Sequence, residues 1–307
     1  MKRITLYILS AILITVLGAA LFITIRMAGA AAQVEREWRS THVEAPEYFG
    51  STSRLEILPL YEEDQSGDGF IGGHGVSYLI RADSATILMD VGNNPDKMAV
   101  PPFTQNMRSL GISPHEIDVI LISHPHPDHL GGVQAWSHKT ISLGEEDSGL
   151  GDLPVFVPVE MNYPGAIYSS QPVLLSPAVA TTGVISYPEV FPISLFEPKV
   201  GEHGLVVNVT GEGLVLITGC GHPTLERLVE RAEALYDLPV VGVVGGLHYE
   251  GATASEVEEP IQFLQTRQPK LVALSPHDSS PQAIAAFQSA FPEAYRPLQI
   301  GALIQFP

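Results

Sequence analysis

The chain alternates between short apolar segments and polar turns, with one exception at its N-terminus. Five segments have the length and composition of buried strands: residues 119–122, 205–209, 214–218, 240–244 and 271–274. Four stretches have the apolar spacing or flanking residues of helices: residues 103–110, 224–236, 255–265 and 281–291. A hairpin is expected over residues 76–80 and 86–90, and a last strand over residues 300–306. The order ββ-α-β followed by ββ-α-β-α-β-α-β predicts an α/β protein with two sheets faced by helices, a four-layer αββα sandwich.

The exception is an unbroken apolar run over residues 4–25, preceded by Lys2 and Arg3 and closed by Arg26. A helix needs about 20 apolar residues to cross a bilayer core, whereas the apolar part of a cleaved signal peptide has about 7–15. The run therefore predicts a signal anchor, one transmembrane helix within residues 1–30.

The anchor divides the rest of the chain into a juxtamembrane linker over residues 31–53 and a globular domain over residues 54–307. The basic residues before the apolar run favour a cytoplasmic N-terminus and a domain on the extracytoplasmic side of the membrane. The alternative is cleavage after the small residues at positions 28–30, which releases a secreted protein.

The charge balance limits the partners. The net charge of −18, from 34 acidic and 16 basic residues, argues against nucleic acid, because phosphate binding needs a basic surface. We expect a small-molecule substrate, and the membrane through the N-terminal helix; homodimerisation is left open. Cys220 is the one cysteine in the sequence, so no intramolecular disulfide forms.

Residues 123–132, with the sequence Ser-His-Pro-His-Pro-Asp-His-Leu-Gly-Gly, carry the densest candidate chemistry in the chain. On an extended backbone, His124 and His126 point one way, whereas Asp128 and His129 point towards a neighbouring position. Zinc sites typically combine about three such side chains with a water. The pattern therefore predicts two metal ions close together.

Polar residues also follow three later apolar segments, at Cys220 and His222, at His248, and at His277. Strand ends in α/β folds are where ligand-binding residues collect. We therefore expect His222 and His277 to complete the two metal sites.

Two ligand sets follow from this placement. The first metal takes His124, His126 and His222. The second metal takes Asp128, His129 and His277. Imidazole and carboxylate suit zinc, iron and manganese, so we expect one or two Zn²⁺ ions, with iron and manganese as alternatives.

These motifs resemble the metallo-β-lactamase superfamily, whose metal motif is His-x-His-x-Asp-His. Within it, the chain is similar to the branch named for dihydropterin-ribofuranosylaminobenzene-phosphate synthase, over roughly residues 54–307. The resemblance is carried by His74-Gly75-Val76-Ser77, Leu88-Met89-Asp90-Val91-Gly92, residues 124–132, Thr218-Gly219-Cys220-Gly221-His222, Gly245-Gly246-Leu247-His248 and His277-Asp278.

The resemblance implies a metallo-β-lactamase-like αββα sandwich and the same ligands. It places Cys220 where many members have a metal-bridging aspartate, so we expect Cys220 beside the ligands, with a bridging thiolate as the alternative. His203 is a rival of His222 as a ligand. His74 and His248 are expected to contact ligands or substrate, and Asp90 to hold the histidine-rich loop through hydrogen bonds.

Metal-assisted hydrolysis is the chemistry that this set predicts, because a bound metal lowers the pKa of its water to about 7. Asp128 is expected to ligate the metal and orient the nucleophile, and a protonated His248 is a candidate proton donor to the leaving group. We expect hydrolysis of an ester, a lactone or a phosphoester. A synthase or transferase that uses the same site, and a non-catalytic metal-binding sensor domain, are the alternatives. Residues 138–200 carry no motif that identifies the substrate.

Overall fold

The computed structural model describes residues 2–83, 85–145, 148–190 and 192–306. The chain forms two compact units, of which Met1–His42 with Ser186–Gly201 is the smaller and Val43–Ile185 with Glu202–Pro307 the larger. The helices are α1 (Lys2–Ser40), α2 (Pro102–Ser109), α3 (Val133–Ser137), α4 (Leu225–Tyr236), α5 (Glu258–Gln265) and α6 (Pro281–Ala290), with 3₁₀ turns at Pro114–Glu116, Ile193–Leu195 and Ala254–Val257. The strands are β1 (Leu55–Tyr61), β2 (Ser77–Ala82), β3 (Ala85–Met89), β4 (Val119–Leu121), β5 (Val155–Val157), β6 (Ala166–Tyr168), β7 (Leu174–Ser176), β8 (Val179–Thr181), β9 (Ile185–Pro188), β10 (Lys199–Glu202), β11 (Leu205–Val209), β12 (Gly213–Thr218), β13 (Val240–Gly245), β14 (Leu271–Leu274) and β15 (Ile304–Gln305).

The larger unit contains two mixed sheets. One has the strand order β15-β1-β2-β3-β4-β5-β6, and the other has the order β14-β13-β12-β11-β8-β7. Strands β3 to β6 are parallel in the first sheet, and β12 to β14 are parallel in the second. Each sheet therefore brings the carboxyl ends of its parallel strands to one edge, where the loops that follow can meet a ligand.

The strands of the first sheet are apolar on both faces because both faces are covered. Leu55 and Ile57 of β1 belong to a core that also contains residues of β8, β11 and β12, so the two sheets pack face to face. Leu58 and Leu60 belong to a second core, which includes Phe103 of α2. On the far side of the second sheet, α4 contacts β12 and β13, and α6 contacts β14. The predicted four-layer αββα sandwich is confirmed.

Helix α1 is continuous from Lys2 to Ser40 and forms the smaller unit with Ser186–Gly201. Its length and composition suffice to cross a membrane, and large apolar side chains such as Leu17 and Phe22 are exposed. The prediction of a single N-terminal apolar helix is confirmed, and this helix fits both the anchor and the signal-sequence expectation.

The expected linker over residues 31–53 differs from the structure at both ends. The helix continues through residue 30, because no proline or glycine interrupts residues 31–40. At the other end, the amide of Gly50 donates to the Pro177 carbonyl at 2.7 Å, and the amide of Thr52 donates to the Asn208 carbonyl at 2.8 Å. The larger unit therefore begins before Arg54.

The last predicted strand is shorter than expected. Only Ile304–Gln305 pairs with β1, because Gly301 has a left-handed backbone (φ +79°) and its amide donates to the Pro59 carbonyl at 3.0 Å. A turn at Gly301 thus replaces the first part of the expected strand over residues 300–306.

Candidate metal centre

Asp90 fixes the start of the histidine-rich loop, which follows β4. Its buried carboxylate accepts hydrogen bonds from the Ser123 amide (2.7 Å), the Ser123 hydroxyl (2.6 Å) and Nδ1 of His129 (2.7 Å). Its own amide donates to the Leu121 carbonyl at 2.8 Å. Asp90 therefore ties the end of β3 to both ends of the loop, which is the role expected from the sequence.

Three histidines form a first donor cluster, consisting of His124, His126 and His222. The nitrogen atoms that they offer lie within 4.8 Å of one another. Nε2 of His124 faces Nδ1 of His126 at 3.1 Å, and the ring of His222 lies 4.7 Å from that of His124 between centroids. The histidine-rich loop supplies two of these rings, and the turn after β12 supplies the third.

A second donor cluster lies beside the first and consists of Asp128, His129, Cys220 and His277, all buried. The Cys220 sulfur lies 3.1 Å from Nε2 of His129 and 3.1 Å from Nε2 of His277. Nε2 of His129 lies 3.3 Å from a carboxylate oxygen of Asp128. The sequence placed Cys220 beside the ligands, whereas the structure places its sulfur among the candidate donors.

The two clusters are in contact with each other. The ring of His124 in the first cluster and the ring of His129 in the second have centroids 4.0 Å apart. The structure therefore brings together the six residues that the sequence assigned to two metals, in the same two groups, and adds Cys220 to the second.

Hydrogen bonds on Nδ1 orient the rings of both clusters. The Glu202 carboxylate accepts from Nδ1 of His222 at 2.9 Å and from the amides of Gly221 and His222. Since the Ser123 hydroxyl gives its single proton to Asp90, its oxygen accepts from Nδ1 of His124 at 2.9 Å. Each Nδ1–H is thereby directed away from the centre.

His277 is held in the same manner. The Ser275 hydroxyl donates to the buried carboxylate of Glu62, so its oxygen accepts from Nδ1 of His277. Glu62 also accepts from the hydroxyl of Tyr78 at 2.9 Å and from the His277 amide at 3.1 Å. Burial raises the pKa of Glu62 to about 7, although these donors oppose the shift.

This arrangement fits a bound cation. With Nδ1 donating outwards, Nε2 of His124, His129, His222 and His277 all face the centre. Although burial opposes it, Cys220, Asp128 and Asp90 raise the pKa of His129 well above its usual range, so a bound cation would replace a proton on this ring. Such a convergence of nitrogen donors, each oriented by a hydrogen bond from behind, is the arrangement that a metal site requires.

The charge states of the donors support the same conclusion. Burial, followed by the neighbouring histidines, lowers the pKa of His124 well below its usual range, so its ring is neutral. Although burial opposes it, His129 lowers the pKa of the Asp128 carboxyl, which is therefore ionised. Metals bind neutral imidazole and ionised carboxylate. Burial raises the pKa of the Cys220 thiol, and coordination to a cation deprotonates such a thiol.

The remaining predicted histidines lie around the clusters. Nδ1 of His74 lies 3.3 Å from Glu63, and its Nε2 lies 3.6 Å from Asp128. The ring of His248 lies 4.5 Å from that of His222 between centroids. Partial burial, followed by His222, lowers the pKa of His248, so the environment does not favour the protonated ring that the sequence suggested.

His203 is not part of either cluster. Its ring is buried, Nε2 donates to the Ile122 carbonyl at 2.9 Å, and burial lowers its pKa to about 4. The structure thus favours His222 over its rival, because His203 holds the end of β4 instead.

Sequence reasoning missed two buried carboxylates behind the rings, Glu202 at the end of β10 and Glu62 after β1. The sequence motif includes Asp278 beside His277 but indicates no role for it; its carboxylate accepts a hydrogen bond from the His248 amide at 2.9 Å. The signal available was an acidic residue directly after an apolar strand, as at Glu62. Since Glu63 and Asp64 follow Glu62, the sequence at this point has the composition of an acidic surface loop and does not indicate a buried carboxylate.

Comparisons with known proteins agree with this geometry. A sequence profile of the metallo-beta-lactamase superfamily matches residues 71–256. The chain is 27% identical over 298 residues to the 7,8-dihydropterin-6-methyl-4-(beta-D-ribofuranosyl)-aminobenzene-5'-phosphate synthase of Methanocaldococcus jannaschii, a match that covers 84% of this chain and 99% of that protein.

Solved structures show the same fold. Tm1679, described as a metal-dependent hydrolase of the beta-lactamase superfamily, superposes with a TM-score of 0.62 at 21% identity, covering 81% of this chain and 98% of that chain. The metallo-beta-lactamase fold protein YhfI from Bacillus subtilis superposes with a TM-score of 0.52 at 11% identity. The match covers 82% of this chain and 99% of that chain. At such identities the likeness concerns the fold alone.

The hydrogen bonds of Glu202 predict a specific effect on the first cluster. In Glu202→Gln one oxygen still accepts, but the NH2 group that replaces the other faces an N–H donor, so the hydrogen bonds to the Gly221 amide and to His222 cannot all be kept and the ring loses its fixed orientation. We expect about 10–100-fold weaker metal affinity at the first cluster. Competition with a chromogenic chelator measures this, with the exposed Glu160→Gln as the matched control. Equal affinities in the two variants would show that Glu202 does not position His222.

The position of Cys220 predicts a sulfur donor in the second cluster only. Co²⁺ bound there should give a thiolate-to-metal absorption band in the near ultraviolet, and Cys220→Ser should remove it. His222→Asn, in the first cluster, should leave that band in place, whereas His277→Asn should weaken it. A band that persists in Cys220→Ser would rule out the sulfur as a donor.

Proposed function

Since the chain belongs to the metallo-β-lactamase superfamily, we propose that it is a metal-dependent hydrolase that cleaves an ester, a lactone or a phosphoester. The observation that carries this proposal is the pair of donor clusters in contact, in which five imidazole rings, a carboxylate and a thiol converge. Zinc is the proposed metal, with iron and manganese as the alternatives.

Metal ions held by these clusters would supply Lewis-acid polarisation of the substrate and a water with a pKa of about 7. His124, His126 and His222 would hold one ion, and Asp128, His129, Cys220 and His277 the other. Asp128 is ionised and lies between His74 and His129. Its carboxylate is therefore placed to accept a hydrogen bond from the attacking group and orient it.

The chain's own residues also provide for the leaving group. His248 has a left-handed backbone (φ +55°), and its amide is held by the buried carboxylate of Asp278. This places the ring beside His222, where it can donate a proton once it has taken one from solvent or substrate. The lowered pKa makes that ring a readier donor than an ordinary histidine.

A synthase or transferase is the second candidate, and the similarity to the Methanocaldococcus jannaschii synthase along 99% of that protein favours it. A synthase that holds a substrate phosphate away from the metals would need a basic pocket, and the balance of 34 acidic against 16 basic residues weighs against one. A sensor domain that binds metal without turnover is the third candidate, and the ordering of Asp128 and His248 around the clusters weighs against it.

We also propose that α1 anchors the protein in the membrane, with the larger unit on the extracytoplasmic side. The length and composition of α1 support an anchor, and Lys2 and Arg3 before the apolar run support a cytoplasmic N-terminus. Cleavage after residues 28–30 is the alternative, and N-terminal sequencing of the protein from membranes distinguishes the two.

The hydrolase proposal predicts linked effects on metal content and activity. The full chain should bind about two metal equivalents and hydrolyse at least one member of a panel of esters, lactones and phosphodiesters. A chelator should abolish turnover, and added Zn²⁺ should restore it. His126→Ala should lower the hydrolytic activity by more than the roughly 10–100-fold that is typical when a hydrogen-bond partner of a metal ligand is removed. The exposed His115→Ala should retain full activity. Protein that stays metal-free with His124 and His126 intact would refute the proposal.

A further inference from the structure

The segment Ser186–Gly201 is fastened to α1 at two separate heights along the helix. Nε of Arg26 donates to the Ser194 carbonyl at 3.1 Å. The Lys199 ammonium donates to both carboxylate oxygens of Glu37, at 2.7 and 2.8 Å. An α-helix rises about 1.5 Å per residue, so Arg26 and Glu37 are about 16 Å apart along the axis. The segment therefore runs beside the helix. We call the contact of Ser194 with Arg26 the lower contact, because it is the nearer of the two to the N-terminus of α1.

The lower contact coincides with the end of the apolar run. Residues 4–25 are apolar and Arg26 is the first charged residue after them. Such a run is about 33 Å long as a helix and matches the hydrocarbon core of a bilayer of about 30 Å. If α1 spans the membrane, Arg26 and the Ser194 carbonyl lie at the level of the membrane surface.

The part of the segment at this level exposes large apolar side chains. Val190 is 55% exposed and Phe196 is 82% exposed, on either side of Ser194. Single exposed apolar residues are ordinary on protein surfaces and need no explanation. Here they lie four and two residues from Ser194, which contacts Arg26 at the end of the apolar run. Phe22 and Ile25, just before Arg26, are also exposed, and the anchor proposal places them in lipid.

We propose that Val190 and Phe196 insert into the headgroup–acyl boundary of the leaflet from which α1 emerges, so that the segment is a second membrane contact. The occupant of this apolar surface is the lipid bilayer, because Ser194, between Val190 and Phe196, contacts α1 at Arg26, where the apolar run ends. Apolar side chains at that depth are favoured when the neighbouring backbone and charged groups stay at the interface. The Arg26 contact provides this arrangement, and the pair of Lys199 with Glu37 holds the rest of the segment beside α1 outside the membrane. The inference rests on the proposed membrane anchor.

Tryptophan fluorescence in lipid vesicles tests the insertion on the full chain. In a background with Trp38→Phe and Trp136→Phe, single reporters are introduced as Phe196→Trp, Ile14→Trp and Arg36→Trp. Arg36 is exposed, belongs to the same unit and lies about 15 Å beyond Arg26 along α1, so it is the matched control for an aqueous position. The lipids carry bromine near the headgroup end of the acyl chain in one vesicle set and near its terminus in another.

We expect headgroup-proximal bromine to quench most of the emission of Phe196→Trp, with a blue-shifted maximum, and to leave that of Arg36→Trp nearly unchanged. Ile14→Trp, inside the apolar run, should respond to the acyl-terminal bromine. If Ile14→Trp is quenched but Phe196→Trp behaves like Arg36→Trp, the anchor stands and the second contact is refuted. If neither Ile14→Trp nor Phe196→Trp is quenched, the anchor and the inference both fail. Unchanged metal content of Phe196→Trp verifies that the variant is folded.

Discussion

The hydrogen bonds of Asp90 are the constraint on which the rest of the metal centre depends. One buried carboxylate binds the amide and hydroxyl of Ser123 and the ring of His129, and so fixes both ends of the histidine-rich loop. Gly219 packs so closely against Ser123 and Asp90 that no side chain fits there: a Cβ on Gly219 would lie 2.1 Å from the Ser123 hydroxyl. The turn that carries Cys220 and His222 therefore closes directly over Asp90. A buried carboxylate without these partners would be costly, so the loop and the turn stabilise each other.

The same device is repeated behind each ring that the two sheets contribute. Glu202 holds His222, and Glu62 holds His277 through Ser275, so the Nδ1–H of each of these two rings is used outside the centre and its Nε2 faces inwards. This gives the two clusters different chemistry. The first offers three imidazoles, whereas the second adds a carboxylate and a thiol, which make it the more anionic and softer of the two sites.

The sequence predicted the parts of this centre that local pattern determines. The spacing of His124 and Asp128 and the strand ends before His222 and His277 were enough to group the six residues, because parallel strands bring their carboxyl ends to one edge. Glu62 was not predictable as the support of His277: the two are 215 residues apart in sequence and belong to different sheets. The association of Ser186–Gly201 with α1 was not predictable from the sequence either. It depends on one contact of Arg26 with a carbonyl and one pair of Lys199 with Glu37, and such isolated contacts produce no repeating pattern in the sequence.

A crystal structure of the metal-loaded full chain, with anomalous data collected at the absorption edge of the bound metal, tests the central claim most directly. Two anomalous peaks are predicted. One should lie among His124, His126 and His222, and the other among Asp128, His129, Cys220 and His277. A loaded protein whose anomalous peaks lie outside these clusters, or whose single peak is bound by His203 in place of His222, would contradict the account.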